Sequence, residues 1–419
     1  MKRLLALAEQ VRPTPFALAL LLLLAVRDSQ NLLRPEFYAE DGPIWYAQAY
    51  TQGWASLANP EGSYLNTAQR LVAIVSQPLP LAWAPLLFNL CAFAAMAGLA
   101  LFLVSPRLDA AWPQRGARRL FAILFVLMPA AHETVGILTN MHWYLALFAF
   151  LVLASAAPVN LAQRLLDAAV LLLSGLSGPF CVFLLPLAFH RWLRARDGAH
   201  ALRLGLTVAT AATQLLCLYT VGGGRMVGPL GATSSLFFYI VALIPLHAEV
   251  GARLIHFFAA TEIWRASGIG IVVGLAGLAA GGAGWRLGTP LLRHFLLFSA
   301  LMLAGALYKP LVDIHQAQWP LMAFQPPAGG RYYVFPMLAW WGVLFALAAR
   351  GGPTLKRCAA DLLVLTCLVA IPLDWAVWQR DNYETFQAAA QAFDAAAPGT
   401  RAEFHIKPAF AQPLVLLKK

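Results

Sequence analysis

Charge is scarce in this chain. Of its 419 residues only 12% are Asp, Glu, Lys or Arg, where a water-soluble domain carries about a quarter. A soluble globular fold is thereby excluded. Cysteine is scarce too: Cys91, Cys181, Cys217, Cys358 and Cys367 all fall inside or at the ends of apolar segments, and none has CxxC spacing. A disulfide framework and a cysteine zinc site are therefore not expected. The 19 acidic residues are outnumbered by 30 basic ones, a net charge of +11. That excess points to nucleic acid only if it forms a continuous face, and here it comes in short clusters between apolar runs. What remains is hydrophobicity: 60% of residues are apolar and the mean hydropathy is +0.67. The composition is that of an integral membrane protein embedded in a lipid bilayer.

The start, Met1-Lys2-Arg3 followed by Phe16 to Val26, has the look of a signal peptide. It lacks a small-x-small cleavage site and Arg27-Asp28 follows directly, so a retained first helix is expected. Further apolar runs lie near 85–104, 118–131, 142–157, 163–179, 180–195, 202–221, 267–285, 291–308, 332–349 and 357–375. With 13–33 they predict an all-α polytopic fold of about 11 transmembrane helices.

Basic residues set the orientation. Lys2, Arg3 and Arg12; Arg107, Arg115, Arg118 and Arg119; Arg164; Arg191, Arg194, Arg196 and Arg203; Arg286 and Arg293; and Arg350, Lys356 and Arg357 mark alternate connections. Those connections are expected to be cytoplasmic. The rule holds only if 66–104 crosses once, with Asn66 to Trp83 lying along the outer interface. Pro78, Pro80, Gln69, Arg70 and Gln77 suit that role.

The outer connections are then 34–84, 132–141, 222–266, 309–331 and the tail after 375. They hold most of the carboxylates, so chemistry is expected on that side. Within 222–266, Leu236 to Leu246 reads as a short outer or re-entrant helix. The Gly222-Gly223-Gly224-Arg225 run lacks the GxxxxGK[ST] pattern of a phosphate loop. Residues 1–375 form the expected membrane-embedded catalytic domain. Residues 376–419 form an outer, periplasmic tail: an amphipathic helix to about Ala396, a break at Pro398-Gly399, then an extended piece.

The motifs cluster on the outer side. Phe37-Tyr38-Ala39-Glu40-Asp41-Gly42-Pro43 sets two adjacent carboxylates among aromatics after the first span. Thr139-Asn140-Met141-His142-Trp143 is a polar patch in a short connection. Gly330-Arg331-Tyr332-Tyr333 precedes a late span. With its cytoplasmic N-terminus and interfacial helix, this arrangement resembles the GT-C superfamily of membrane glycosyltransferases over roughly residues 30–350. Those enzymes transfer a sugar from a polyprenyl-phosphate carrier at the outer face of the bacterial inner membrane.

The resemblance implies a first-loop carboxylate acting as general base on the acceptor hydroxyl. Asp41 is the expected base and Glu40 the alternative, since adjacent helical side chains diverge by about 100°. Charge on the departing phosphate calls for cations, for which Arg331, then Arg225 and Lys309, with Tyr332 beside them, are the candidates. Lys309 serves equally well by snorkelling to headgroups. His132 and Asn140 are candidates to hydrogen-bond sugar or phosphate. Trp45 and Tyr46 are candidates to stack on the sugar, against the commoner fate of interface anchor. A metal held by Glu40 or Asp41 with His132 or Glu133 lacks tight ligand spacing, so no metal or other cofactor is expected. The implied partners are a polyprenyl-phosphate-linked sugar donor and an acceptor that is a glycan, a glycolipid or a protein. Two other readings stand beside this one. An O-antigen ligase or polymerase calls for a larger late outer loop. A transporter or lipid flippase calls for mid-membrane charges and paired interrupted helices.

Overall fold

The computed structural model describes residues 8–221, 228–326, 328–375, 382–408 and 411–419. The fold is almost wholly helical. Its principal helices are α1 (Pro13–Arg27), α2 (Thr67–Ser76), α3 (Ala84–Leu103), α4 (Arg115–Val126), α5 (Met141–Ala154), α6 (Leu161–Gly175) and α7 (Phe180–Ala195). They continue with α8 (Gly198–Val221), α9 (Ser234–Ala259), α10 (Ile269–Leu287), α11 (Pro290–Tyr308), α12 (Val334–Arg350), α13 (Pro353–Leu365) and α14 (Tyr383–Ala395). Strands β1 (Arg401–Phe404) and β2 (Leu414–Leu417) pair antiparallel, Arg401 opposite Leu417 and Phe404 opposite Leu414.

Local sequence explains the helix starts. Proline opens α1, α11 and α13, where a missing N–H costs nothing. Side chains of Asn160, Thr233 and Thr289 accept the first free amides of α6, α9 and α11, from Gln163, Leu236 and Leu292.

Among the described residues six helices are long and apolar enough to cross a membrane: Leu81–Leu103, Gly198–Val221, Ser234–Ala259, Ile269–Leu287, Pro290–Tyr308 and Gly330–Arg350. The expectation of about eleven is too high. Residues 118–131 yield only the 12-residue α4, about 18 Å at 1.5 Å per residue. Residues 142–157 yield the 14-residue α5, every residue of it buried within the protein. α6 and α7 have 15 and 16 residues, short of a hydrocarbon core about 30 Å thick. At α5 hydropathy over-counts because an interior helix is as apolar as a lipid-facing one.

The opposite error falls at 234–259. Expected as an outer connection with only a short helix over Leu236–Leu246, it is helical from Ser234 to Ala259 in two parts that meet at Gly251. It accommodates Pro245 and turns sharply at Gly251, whose φ is +81°. The Asp374 carboxylate accepts the Ala252 and Arg253 amides at 2.7 and 3.1 Å, capping the chain as it leaves the turn, and also takes the Ala130 amide at 2.8 Å. Beyond the turn the chain doubles back until the Tyr239 hydroxyl donates to the Arg265 carbonyl at 3.2 Å.

The tail does not stand apart from the first connection. α14 and the hairpin bring Phe386, Phe393, Phe404 and Leu414 into one apolar cluster with Phe37, Tyr46 and Phe88. The Asp394 carboxylate accepts the Leu81 amide at 3.0 Å. α14 begins at Tyr383; the preceding stretch expected to be helical, 376–381, lies outside the described residues.

Candidate functional site

The first connection is built around a strained residue. Tyr38 is extended, Ala39 takes a φ of +49°, and a tight turn of helix over Ala39–Asp41 leads into the wide turn Gly42–Tyr46. A left-handed non-glycine residue persists only where its surroundings over-determine it. Here the tail does so: Ala39 N–H donates to the Lys407 carbonyl at 2.5 Å, and Lys407 N–H donates to the Phe37 carbonyl at 3.3 Å. Gly42 sits under this clamp, where a Cβ would come within 3.3 Å of Leu414.

That geometry separates the two carboxylates. Asp41 is fully buried and does not line the cavity described below. Its Oδ2 accepts the Tyr38 amide at 3.3 Å. Burial pushes its carboxyl well above the usual carboxylate range; the negative Glu40 adds to the rise, while the Tyr38 and Thr139 amides oppose it. Glu40 turns the other way, is half-buried and lines the cavity.

The cavity has a volume of about 690 Å³ and two chemically distinct parts. Its polar part carries Glu40, Glu61, Glu133, Asn140, Lys309 and Arg331. Its apolar wall is made by Phe180 and Phe183 of α7, Met302 and Ala306 of α11, and Leu321. Gly305 lets these helices face each other, since a Cβ there would meet the Phe183 ring at 2.8 Å.

A chain of hydrogen bonds fixes Glu40. Trp45 Nε1–H donates to Thr139 Oγ1 at 3.0 Å, and the Thr139 hydroxyl donates to Glu40 Oε2 at 3.2 Å. Gln69 Nε2 donates to the Thr139 carbonyl at 3.3 Å and to His142 Nδ1 at 2.8 Å. Beneath them the buried Arg70 guanidinium lies 5.0 Å from the Trp45 ring centre and donates to Gln48 Oε1 at 2.7 Å. Burial pushes Arg70 down to about 10, the Glu61 charge opposing, so it keeps its proton and its stacking role.

Arg331 is held from several sides. Its Nη1 is 3.6 Å from Glu133 Oε2, its Nη2 donates to the Leu311 carbonyl and to the Tyr332 hydroxyl, and its guanidinium lies 4.9 Å from the Tyr332 ring centre. The Tyr332 hydroxyl accepts the Leu311 amide at 2.8 Å. Asn140 Nδ2 donates to the Glu133 carbonyl at 2.6 Å, tying the polar patch to the same loop.

Of the sequence-predicted residues, Glu40, Trp45, Asn140, Lys309, Arg331 and Tyr332 share this cavity. Asp41 and Tyr46 do not. Tyr46 is buried with its ring centre 5.3 Å from Phe37, an anchor rather than a sugar platform. His132 also lies off the lining, where burial lowers its pKa against the pull of Glu133 and Asp374. Arg225 lies outside the described residues. Glu133, Glu61 and Thr139 are lining residues that no role was expected for beyond a metal contact at Glu133. Among the described residues, no group of three or more His, Cys, Asp or Glu is placed to hold a metal ion. No family model, curated protein or solved structure matches this chain.

Proposed function

We propose that the chain is a glycosyltransferase of the GT-C kind, drawing its sugar from a polyprenyl-phosphate carrier at the outer face of a bacterial inner membrane. In this reading the N-terminus is cytoplasmic and the tail lies outside. The observation that carries it is the composition of one cavity: a half-buried carboxylate at Glu40, cations at Arg331 and Lys309, and an apolar wall from α7 and α11. Such a space suits a ligand with an anionic head, a polar sugar and a hydrocarbon tail.

Glu40, oriented by Thr139, accepts the proton of the acceptor hydroxyl as its oxygen attacks the anomeric carbon. The bond from that carbon to the phosphate oxygen breaks on the opposite side, inverting the centre. Arg331 and Lys309 meet the charge that develops on the departing phosphate, so the reading calls for no metal ion. Glu133 holds Arg331 in place, accepting its backbone amide and lying beside its guanidinium. Asp41 moves from the expected base to a support beneath the loop. The test is consumption of a polyprenyl-phosphate-linked sugar by the protein in proteoliposomes. Turnover by wild type and its loss in Glu40→Gln is the expected result; undiminished turnover in that variant removes the proposal.

One observation favours a transporter instead. Glu249, buried in the kinked α9, accepts hydrogen bonds from Trp340 Nε1 and the Thr366 hydroxyl, each at 2.7 Å. Intramembrane carboxylates commonly mark transport paths. This one is matched by protein donors and lines no part of the Glu40 cavity. Substrate uptake in the same proteoliposomes, without sugar transfer, would favour that second reading.

A further inference from the structure

At the other end of α12 lies a second hollow. Its 17 residues span about 26 Å at 1.5 Å per residue, separating Arg331 at one end from Arg350 at the other. The hollow has a volume of about 290 Å³ and is walled by Phe121 of α4, Leu147 and Phe150 of α5, Leu292 and Phe295 of α11, and Phe345 of α12. Gly342 opens its floor, since a Cβ there would lie 2.7 Å from Leu292.

The mouth has the opposite chemistry. Arg350 and Lys356, both exposed, are on the lining. Arg350 Nη1 donates to the Leu287 carbonyl at 2.8 Å, and among the described residues neither cation is paired with a carboxylate. Their neighbours in sequence and space differ: Arg115 and Arg118 share Asp109, and Arg357 lies 3.8 Å from Asp361. Helix starts reinforce the charge. Gln114 and Thr289, which precede α4 and α11, also line the hollow, and Gln114 makes no capping bond to its helix. The positive ends of two helices thus accompany two cations at the opening of an apolar hole.

We propose that this hollow takes one acyl chain of an anionic phospholipid whose phosphate rests against Arg350 and Lys356. An apolar hole with a basic rim is complementary to that ligand and to few others. The site is separate from the Glu40 cavity and independent of the reaction assigned there.

The test uses the full-length, delipidated protein in detergent. It is titrated with phosphatidylglycerol, with phosphatidylcholine of the same chains, and with inorganic phosphate, and followed by native mass spectrometry and melting temperature. Phosphatidylglycerol is expected to bind about tenfold or more tighter than phosphatidylcholine. The double variant Arg350→Gln/Lys356→Gln should abolish that preference, and Ala346→Leu, which fills the hole, should weaken both lipids. Equal binding of the two lipids by wild type overturns the proposal without recourse to any variant. Protection by inorganic phosphate alone, matching the lipid, overturns it as well, by showing a free-anion site.

Discussion

Replacing Glu40 by Gln and Asp41 by Asn gives a paired experiment in which neighbouring, nearly isosteric changes should have unequal outcomes. Glu40 lines the cavity and receives the Thr139 hydroxyl at 3.2 Å; Gln keeps that acceptor but cannot take a proton. Loss of a general base costs about 10²- to 10⁴-fold in rate, or roughly 2.7–5.5 kcal/mol of transition-state stabilisation. Asp41 is fully buried and accepts the Tyr38 amide at 3.3 Å. Asn keeps that acceptor, so Asp41→Asn should retain turnover to within about threefold, well under 1 kcal/mol.

The same variant should change how stability depends on pH. The unfolded Asp41 carboxyl ionises near pH 3.9, as a reference Asp does, whereas burial holds the folded one well above that range. As pH rises between those two values the folded state carries the extra proton, so wild-type stability falls, then levels beyond the folded pKa. Asp41→Asn has no such loss. Its melting temperature should therefore gain on wild type between pH 5 and pH 7.5, read in detergent alongside single-turnover sugar transfer at each pH. Activity abolished in Asp41→Asn but kept in Glu40→Gln would reverse the assignment. A melting difference that does not change with pH would refute the account of the buried carboxyl.

Other substitutions test separate parts of the cavity and its frame. Arg331→Lys keeps the charge but loses the fork shared among Glu133, Leu311 and Tyr332. It should lower kcat/KM for the lipid-linked donor by about 10- to 100-fold, 1.4–2.7 kcal/mol. Gly305→Leu drives a side chain toward the Phe183 ring and should raise KM for the long-chain donor more than for a short-chain analogue, measured by steady-state transfer. Asp374→Ala strands the amides of Ala130, Ala252 and Arg253. At about 1–3 kcal/mol for a stranded buried group, it should lower the melting temperature by several degrees, with Asp374→Asn recovering part of the loss.

How much was legible beforehand depended on whether the controlling contact was local. The apolar runs that became α3, α8, α10, α11 and α12 were readable because hydropathy integrates over a whole helix. So was the meeting of Glu40, Asn140, Lys309 and Arg331, because alternate connections of a bundle converge at one end. Which of Glu40 and Asp41 faces the cavity was not readable. It turns on the left-handed Ala39, and that conformation is held by Lys407, far away in sequence. α5 was mistaken for a lipid-facing span because burial among α3, α6 and α7 and contact with lipid leave the same apolar composition. α9 was read too short, as an outer or re-entrant helix over Leu236–Leu246, because Pro245, His247 and Glu249 interrupt its hydropathy. For Glu249 the remedy lies in partners on α12 and beyond α13, which no local window contains.

The clamp on Ala39 also imposes an order of events on synthesis. Lys407 grips a loop made long before it, and Lys419 reaches the Tyr50 hydroxyl across 369 positions of sequence. Closing so long a loop is slow relative to local helix formation, so the bundle can settle while the Phe37–Asp41 segment still waits for its far partner. A chain cut before Lys407 should keep its helices yet leave Ala39 without the contact that holds it.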